Sequence, residues 1–193
     1  MREVLEDLAQ STPLAFSSRR LLECVPVIFG GDRQAHIDWK AKLAGQLGID
    51  AYAMIIVGSA CCGVSLNPNK NFKPFGAASD IDVAVISSFY FDTSWHWLRN
   101  LGALRYRLPV RAQASVDDHV TRLIYYGTVA TDKILQFLPF GRSWVLALNE
   151  MAATTPTEGR DVKVRLYRDF EALREYHVQS LRRLQQSLPT QTR

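Results

Sequence analysis

A mixed α/β or α+β domain, with helices layered around a small sheet, is the fold class this sequence predicts. Three observations point there. Residues 51–57 are an apolar run of strand length, and residues 80–86 read as a second, largely buried strand. Residues 162–167 alternate apolar and polar side chains, the period-two pattern of a half-buried strand. Most of the remaining chain carries apolar residues at helical spacing, so few strands must pack among many helices. The length, 193 residues, suits one domain and buries enough surface to need no disulfide staple. Hydrophobic residues at 47% and charged residues at 22% exclude a disordered tail, a collagen-like repeat and a disulfide-rich miniprotein. The net charge of +4 suits a protein that meets phosphates but is too mild to define a nucleic-acid binder.

Residues 1–32 predict a helix and a loop that lead in, broken by Pro13, Pro26 and Gly30-Gly31. Ile37, Leu43 and Leu47 predict a helix over 33–48, stopped by Gly48. The run 51–57 predicts a strand that halts at Gly58, followed by a short helix over 60–65. Three Asn, two Pro and a Gly make 66–78 a loop. Residues 80–86 predict a second, largely buried strand. Residues 92–152 are helical in pattern, interrupted at Pro109 and at Pro139-Phe140-Gly141. After the alternating strand, Phe170, Leu173, His177, Leu181, Leu184 and Leu188 mark one face of a long helix, 169–188, that runs to Pro189. No repeat or linker divides the chain, so residues 1–193 predict one domain with its motif core at 51–87.

Cys24, Cys61 and Cys62 are odd in number and two are adjacent, a poor arrangement for a disulfide. No C-x-x-C pair suggests a zinc ribbon. Three reduced thiols in a cytoplasmic protein are the expectation. The first seven residues are acidic where a signal peptide would be basic. No apolar stretch approaches the ~20 residues of a membrane helix, so no membrane partner is expected.

The chemistry concentrates in Val57-Gly58-Ser59 and Ser79-Asp80-Ile81-Asp82-Val83. Residues i and i+2 of a strand share a face, which stands Asp80 beside Asp82 with Cα atoms about 7 Å apart. Two carboxylates so placed repel unless a cation lies between them or one takes a proton. The pair suits Mg²⁺, which takes one or two carboxylates and completes its shell with phosphates and water. A strand that ends in Gly58-Ser59 and turns into a short helix offers backbone N–H groups to an anion. Glycine allows close approach, and the Ser59 hydroxyl adds a donor. Together these features describe a metal–nucleotide site.

On these residues the sequence resembles the nucleotidyltransferase superfamily that includes the DNA polymerase β-like enzymes. That family's pattern is an apolar residue, Gly, Gly or Ser, a variable gap, then two acids flanking an apolar residue on the next strand. Val57-Gly58-Ser59 and Asp80-Ile81-Asp82 match it, with Ser79 preceding as in many minimal members. The resemblance covers about residues 51–87. It implies a small mixed sheet flanked by helices, and transfer of a nucleoside monophosphate from a nucleoside triphosphate with Mg²⁺ or Mn²⁺. Asp80 and Asp82 would hold metal; Gly58, Ser59 and Ser79 would bind nucleotide. The acceptor would be RNA, a protein or a small molecule. Small stand-alone members often serve bacterial toxin–antitoxin or antiviral defence systems, which implies a protein partner; nucleic acid is also compatible.

Two departures matter. Twenty residues, 60–79, separate Ser59 from Asp80, a longer gap than in minimal members. The excess fits a flexible loop over the site, with Lys70 and Lys73 available to phosphate or nucleic acid. The family's third carboxylate belongs on a later strand, yet residues 162–167 carry Lys163 and Arg165 on their polar face. Asp161 precedes them in phase and is the candidate third acid; Asp169 lies just past the end. Lys163 and Arg165 are themselves candidates for nucleotide binding. If either occupies the third acid's place, a fixed cation replaces a metal, and a catalytically silent, nucleotide- or partner-binding subunit becomes the alternative.

Other features favour plain structural roles. Cys61 and Cys62 predict packing behind the glycine turn. Asp117-Asp118-His119 predicts capping and solvation rather than a metal site. His36, His96 and His177 fall on helical patterns. Arg105-Tyr106-Arg107 with Arg111 is permissive of nucleic acid but common on surfaces. Trp95 and Trp97 predict a buried anchor.

Overall fold

The computed structural model describes residues 2–187 and shows a mixed α+β architecture around one four-stranded sheet. Leu188 and Pro189 lie outside the described residues. The strands are β1 (Met54–Val57), β2 (Ile81–Ile86), β3 (Thr128–Ala130) and β4 (Val162–Tyr167), in the order β1-β2-β4-β3. β1 runs antiparallel to β2, with Val57 opposite Asp82. β4 runs parallel to β2, with Lys163 opposite Asp82. β3 closes the far edge antiparallel to β4. The helices are α1 (Arg2–Gln10), α2 (Pro13–Ser17), α3 (Arg33–Leu47), α4 (Ser59–Cys62), α5 (Ser88–Asn100), α6 (Val110–Asp118), α7 (Gly141–Ala152) and α8 (Phe170–Ser187). None is long and apolar enough to cross a membrane.

Strand alternation divides the sheet into two unlike faces. Met54, Ile56, Ile81, Val83, Val85, Val162, Val164 and Leu166 form the main core with side chains of α3, α5 and α7. Large aromatics enter this core with their polar atoms matched. Trp39 Nε1 donates to Thr157 Oγ1 at 3.0 Å, and Trp144 Nε1 and the Tyr90 hydroxyl both donate to the Leu47 carbonyl. On the opposite face Val57, Ala84, Ile86 and Tyr167 pack against Leu173 of α8. α8 does not cover the ends of β2 and β4 where Asp82 and Lys163 lie, and there the sheet is left open.

The first thirty residues do more than lead in. Val4, Leu8, Phe16 and Leu21 build a second core with Cys61, Cys62, Val64, Leu181 and Leu184. α8 is tied to this arm by Gln185 Nε2, which donates to the carbonyls of Leu8 and Ser11 at 2.6 and 2.9 Å. Pro13 does not break a helix; it starts α2 at a position where its missing N–H costs nothing, after Thr12 as N-cap. The expected stop at Gly48 is present, in the left-handed conformation.

Two expectations need correction. Residues 51–53 form a 3₁₀ turn, so β1 is shorter than the apolar run. The stretch 92–152 contains a strand, β3, which three residues could not announce by periodicity. His119, flagged with Asp117 and Asp118, explains how β3 is held. Its buried ring bonds the Ser115 carbonyl through Nδ1 and accepts the Ala130 N–H through Nε2 at 3.0 Å. Asp117 and Asp118 form surface ion pairs with Arg105 and Arg122.

Two histidines store an acid sensitivity. Nε2 of His36 and of His177 is buried without a hydrogen-bond partner among the described residues. Burial first, and then nearby Lys40 or Arg165, depresses each ring's pKa to about 4. Their unfolded values lie near 6.5. Stability is therefore full above about pH 6.5 and declines as pH falls toward 4, because only the unfolded chain takes up the protons. The loss should be roughly 2–3 kcal/mol for His177, which protein encloses, and less for the partly solvated His36. Thermal melts from pH 7 to pH 4 should show the fall, and His177→Leu should remove the larger share of it; an unchanged slope would refute this assignment.

Candidate functional site

The open part of the sheet floors a cleft of about 820 Å³, walled by α8, by the loop after α4 and by the turn after β3. Its construction begins at Gly58. Val57 is the last residue of β1, and the chain must reverse at once into α4. Gly58 makes the turn at φ 69°, ψ −148°. A Cβ there would come within 2.9 Å of Asp82 Oδ2. Glycine is thus required twice, for its backbone angle and for the approach of the neighbouring strand's carboxylate. The turn and the acid pair, more than twenty residues apart in sequence, meet at this contact.

Asp80, Asp82, Lys163 and Arg165 all face the cleft, and Ser59 sits at its rim where α4 begins. Solvent reaches Asp82 from the mouth, yet protein surrounds it closely. Burial, then the negative charge of Asp80, raises its carboxyl pKa above the usual range. Lys163 Nζ lies 2.6 Å from Asp80 Oδ2. That bond raises the lysine pKa and keeps the ammonium charged. Arg165 donates to the Tyr176 hydroxyl, and its guanidinium lies 4.8 Å from the centre of the Tyr176 ring. Two cations are therefore held beside the acids by rigid partners, one on each of two successive cleft-facing positions of β4.

The third acid of the cleft is Asp132, which the sequence reading passed over. It sits in the 3₁₀ turn Thr131–Lys133 directly after β3. Thr131 Oγ1 donates to the Val164 carbonyl at 2.6 Å and pins that turn against β4. The available signal was slight: a glycine, three β-branched residues and an acid in Gly127-Thr128-Val129-Ala130-Thr131-Asp132. Asp161 is exposed and is not among the residues lining the cleft, although its carbonyl accepts the Ile81 N–H at 2.8 Å. Asp169 caps the start of α8 by accepting the Ala172 N–H. Ser79 also lies off the cleft; its hydroxyl accepts the Gly76 N–H and closes a turn.

The long gap does not hang free over the site. Val64 and Pro74 form a β-bridge, the Ser65 N–H donates to the Lys73 carbonyl at 2.9 Å, and the Phe75 N–H donates to the Gly63 carbonyl at 2.9 Å. Phe72 packs on the N-terminal core. Lys70 reaches the cleft and Lys73 does not. Behind the glycine turn, Cys61 packs as expected, with its Sγ 2.9 Å from that of Cys24 and a shared acceptor in the Arg20 carbonyl. α8 contributes Tyr176, His177, Ser180 and Arg183 to the wall. Four bases, Lys70, Lys163, Arg165 and Arg183, thus line the cleft with three acids.

A divalent cation fits part of this arrangement. Asp80 and Asp82 supply adjacent hard oxygen donors, and burial together with the charge of Asp80 raises the proton affinity of Asp82. A cluster of three or more His, Cys, Asp or Glu able to enclose a metal is absent among the described residues. The donor set therefore suits a Mg²⁺ that brings its remaining oxygens with a substrate phosphate. Comparison of the chain with protein-family models, with curated proteins and with solved structures gives no match.

Proposed function

We propose that this protein is a metal-dependent nucleotidyltransferase that moves a nucleoside monophosphate from a nucleoside triphosphate to an acceptor hydroxyl. The observation that carries the reading is the contact of Gly58 with Asp82, which joins an anion-accepting turn to a carboxylate pair in one basic-rimmed cleft. Gly58 and Ser59 would receive the triphosphate through backbone and hydroxyl donors. Arg165 and Lys70 would bind its oxygens as the negative charge shifts toward pyrophosphate, beside the fixed charge of Lys163. Asp80 and Asp82 would hold Mg²⁺, which when bound neutralises phosphate charge and orients the phosphoryl group for in-line displacement. Asp132, the remaining acid in the cleft, would accept the proton of the attacking hydroxyl.

The Lys163–Asp80 ion pair favours a second reading, a nucleotide- or partner-binding subunit without turnover. One experiment separates the two. Purified protein is incubated with Mg²⁺ or Mn²⁺, each α-labelled nucleoside triphosphate and a cell extract, beside an Asp80→Ala/Asp82→Ala variant. Label on RNA, protein or a small product with wild type alone supports transfer. Triphosphate binding without label under either metal supports the silent subunit, and a role in a defence assembly would then rest on a protein partner.

A further inference from the structure

We infer that Lys163 is the site's own second cation, its ammonium standing on Asp80 so that the cleft takes one divalent ion rather than two. The inference rests on the nucleotidyl-transfer reading of the same cleft. Lys163 is not a surface lysine that happens to lie near an acid. The parallel register sets it directly beside Asp82, and Val162 and Val164 on either side are buried in the main core. The strand cannot rotate to withdraw it without exposing both valines. Its Nζ sits 2.6 Å from Asp80 Oδ2, a charge-assisted bond to one of the oxygens a second metal would need.

The pair has little value as a device for stability. Both side chains are about one-third exposed, 35% for Lys163 and 38% for Asp80, and pairs so placed contribute little to folding. Charge balance gives it a different purpose. Asp80, Asp82 and Asp132 against Lys70, Lys163, Arg165 and Arg183 give the cleft lining one net positive charge. One divalent ion then offsets most of the roughly four negative charges of an incoming triphosphate. Two divalent ions would add to two cations that cannot leave, because Arg165 is held by Tyr176 and Lys163 by its strand. Lys163 thereby acts as a positioning residue: it keeps Asp80 oriented before metal arrives and supplies fixed charge where a second ion would otherwise be recruited.

The test is Mn²⁺ binding to the full chain, measured by electron paramagnetic resonance of the free ion. Wild type should take one Mn²⁺ per chain in the presence of a non-hydrolysable nucleoside triphosphate. Lys163→Met should bind free Mn²⁺ about tenfold tighter, through loss of one like charge, and should take a second ion with the triphosphate analogue. Lys163→Arg should behave as wild type. Thermal melts check folding, and Lys163→Gln replaces Lys163→Met if the latter is unstable. Two ions on wild type, no tightening on removal of the ammonium, or equal tightening in Lys163→Arg would each overturn the inference. Displacement of a fluorescent triphosphate from wild type is measured alongside. Its failure would refute the nucleotide reading, whereas the metal comparison in the free protein decides the role of Lys163 independently.

Discussion

Replacing Asp82 with asparagine should lower the proposed nucleotidyl transfer by about three orders of magnitude, roughly 4 kcal/mol of transition-state stabilisation, without lowering the melting temperature. Most substitutions destabilise, so this combination is informative. The Asp82 carboxyl pKa is raised by burial and by Asp80, which means that its charged form is disfavoured in the folded chain. Asparagine keeps the shape and removes that charge, so the folded state gains or holds its ground while the metal donor is lost. Lys163 retains its bond to Asp80 throughout. Transfer assays and melts on the same preparation check both halves. Activity within tenfold of wild type would refute the donor role, and a fall of many degrees in melting temperature would make Asp82 a structural residue. The trade between stability and activity is typical of sites that hold like charges together.

Replacing Gly141 with alanine should destabilise the protein by about 3–5 kcal/mol, through overpacking against backbone. Gly141 opens α7, where that helix crosses the 3₁₀ turn Leu135–Phe137. A Cβ there would stand 1.7 Å from the Leu135 carbonyl oxygen, 2.8 Å from its carbon and 3.2 Å from Gln136 Cα. All three are main-chain atoms, so no side-chain rotation relieves the overlap. α7 must shift, and with it Trp144, Leu148 and Met151 in the main core. For a chain of this length the melting temperature should drop by roughly 10 °C. Gly45 provides the contrast. It lies exposed within α3, and a Cβ there meets nothing within 4 Å. Gly45→Ala should raise stability by about 0.5–1 kcal/mol through helix propensity alone. Denaturant unfolding of both variants measures the contrast, and a small effect at Gly141 would disprove the packing argument.

Much of the architecture was legible because it rests on local rules. The alternation of Val162-Lys163-Val164-Arg165-Leu166-Tyr167 announced both β4 and the face of each residue, and all six are in that strand. α3 was readable from its spacing and its glycine stop, since a left-handed cap favours glycine whatever surrounds it. β3 was not readable, because three residues carry no period and their pairing with β4 is a long-range event. The N-terminal arm was readable as helix, but its value lies in a second core that it forms with α4 and α8.

The candidate site divides along the same line. Strand geometry makes it legible from the chain alone that Asp80 and Asp82 share a face, and a glycine turn ends the strand before them. It also determined that β4 presents two cations on its polar side. That these groups meet depends on how the strands assemble. Sheet order places β2 between β1 and β4, which brings Gly58 against Asp82 from one side and Lys163 against Asp80 from the other. It likewise replaced Asp161 with Asp132 as the third acid facing the cleft, because a hydroxyl–carbonyl bond from Thr131 to Val164 turns a distant loop inward. Strand period is a property of neighbouring residues, whereas sheet order depends on which distant strands bury their apolar faces together. For that reason the residue types of this chemistry were visible in one dimension and their assembly only in three.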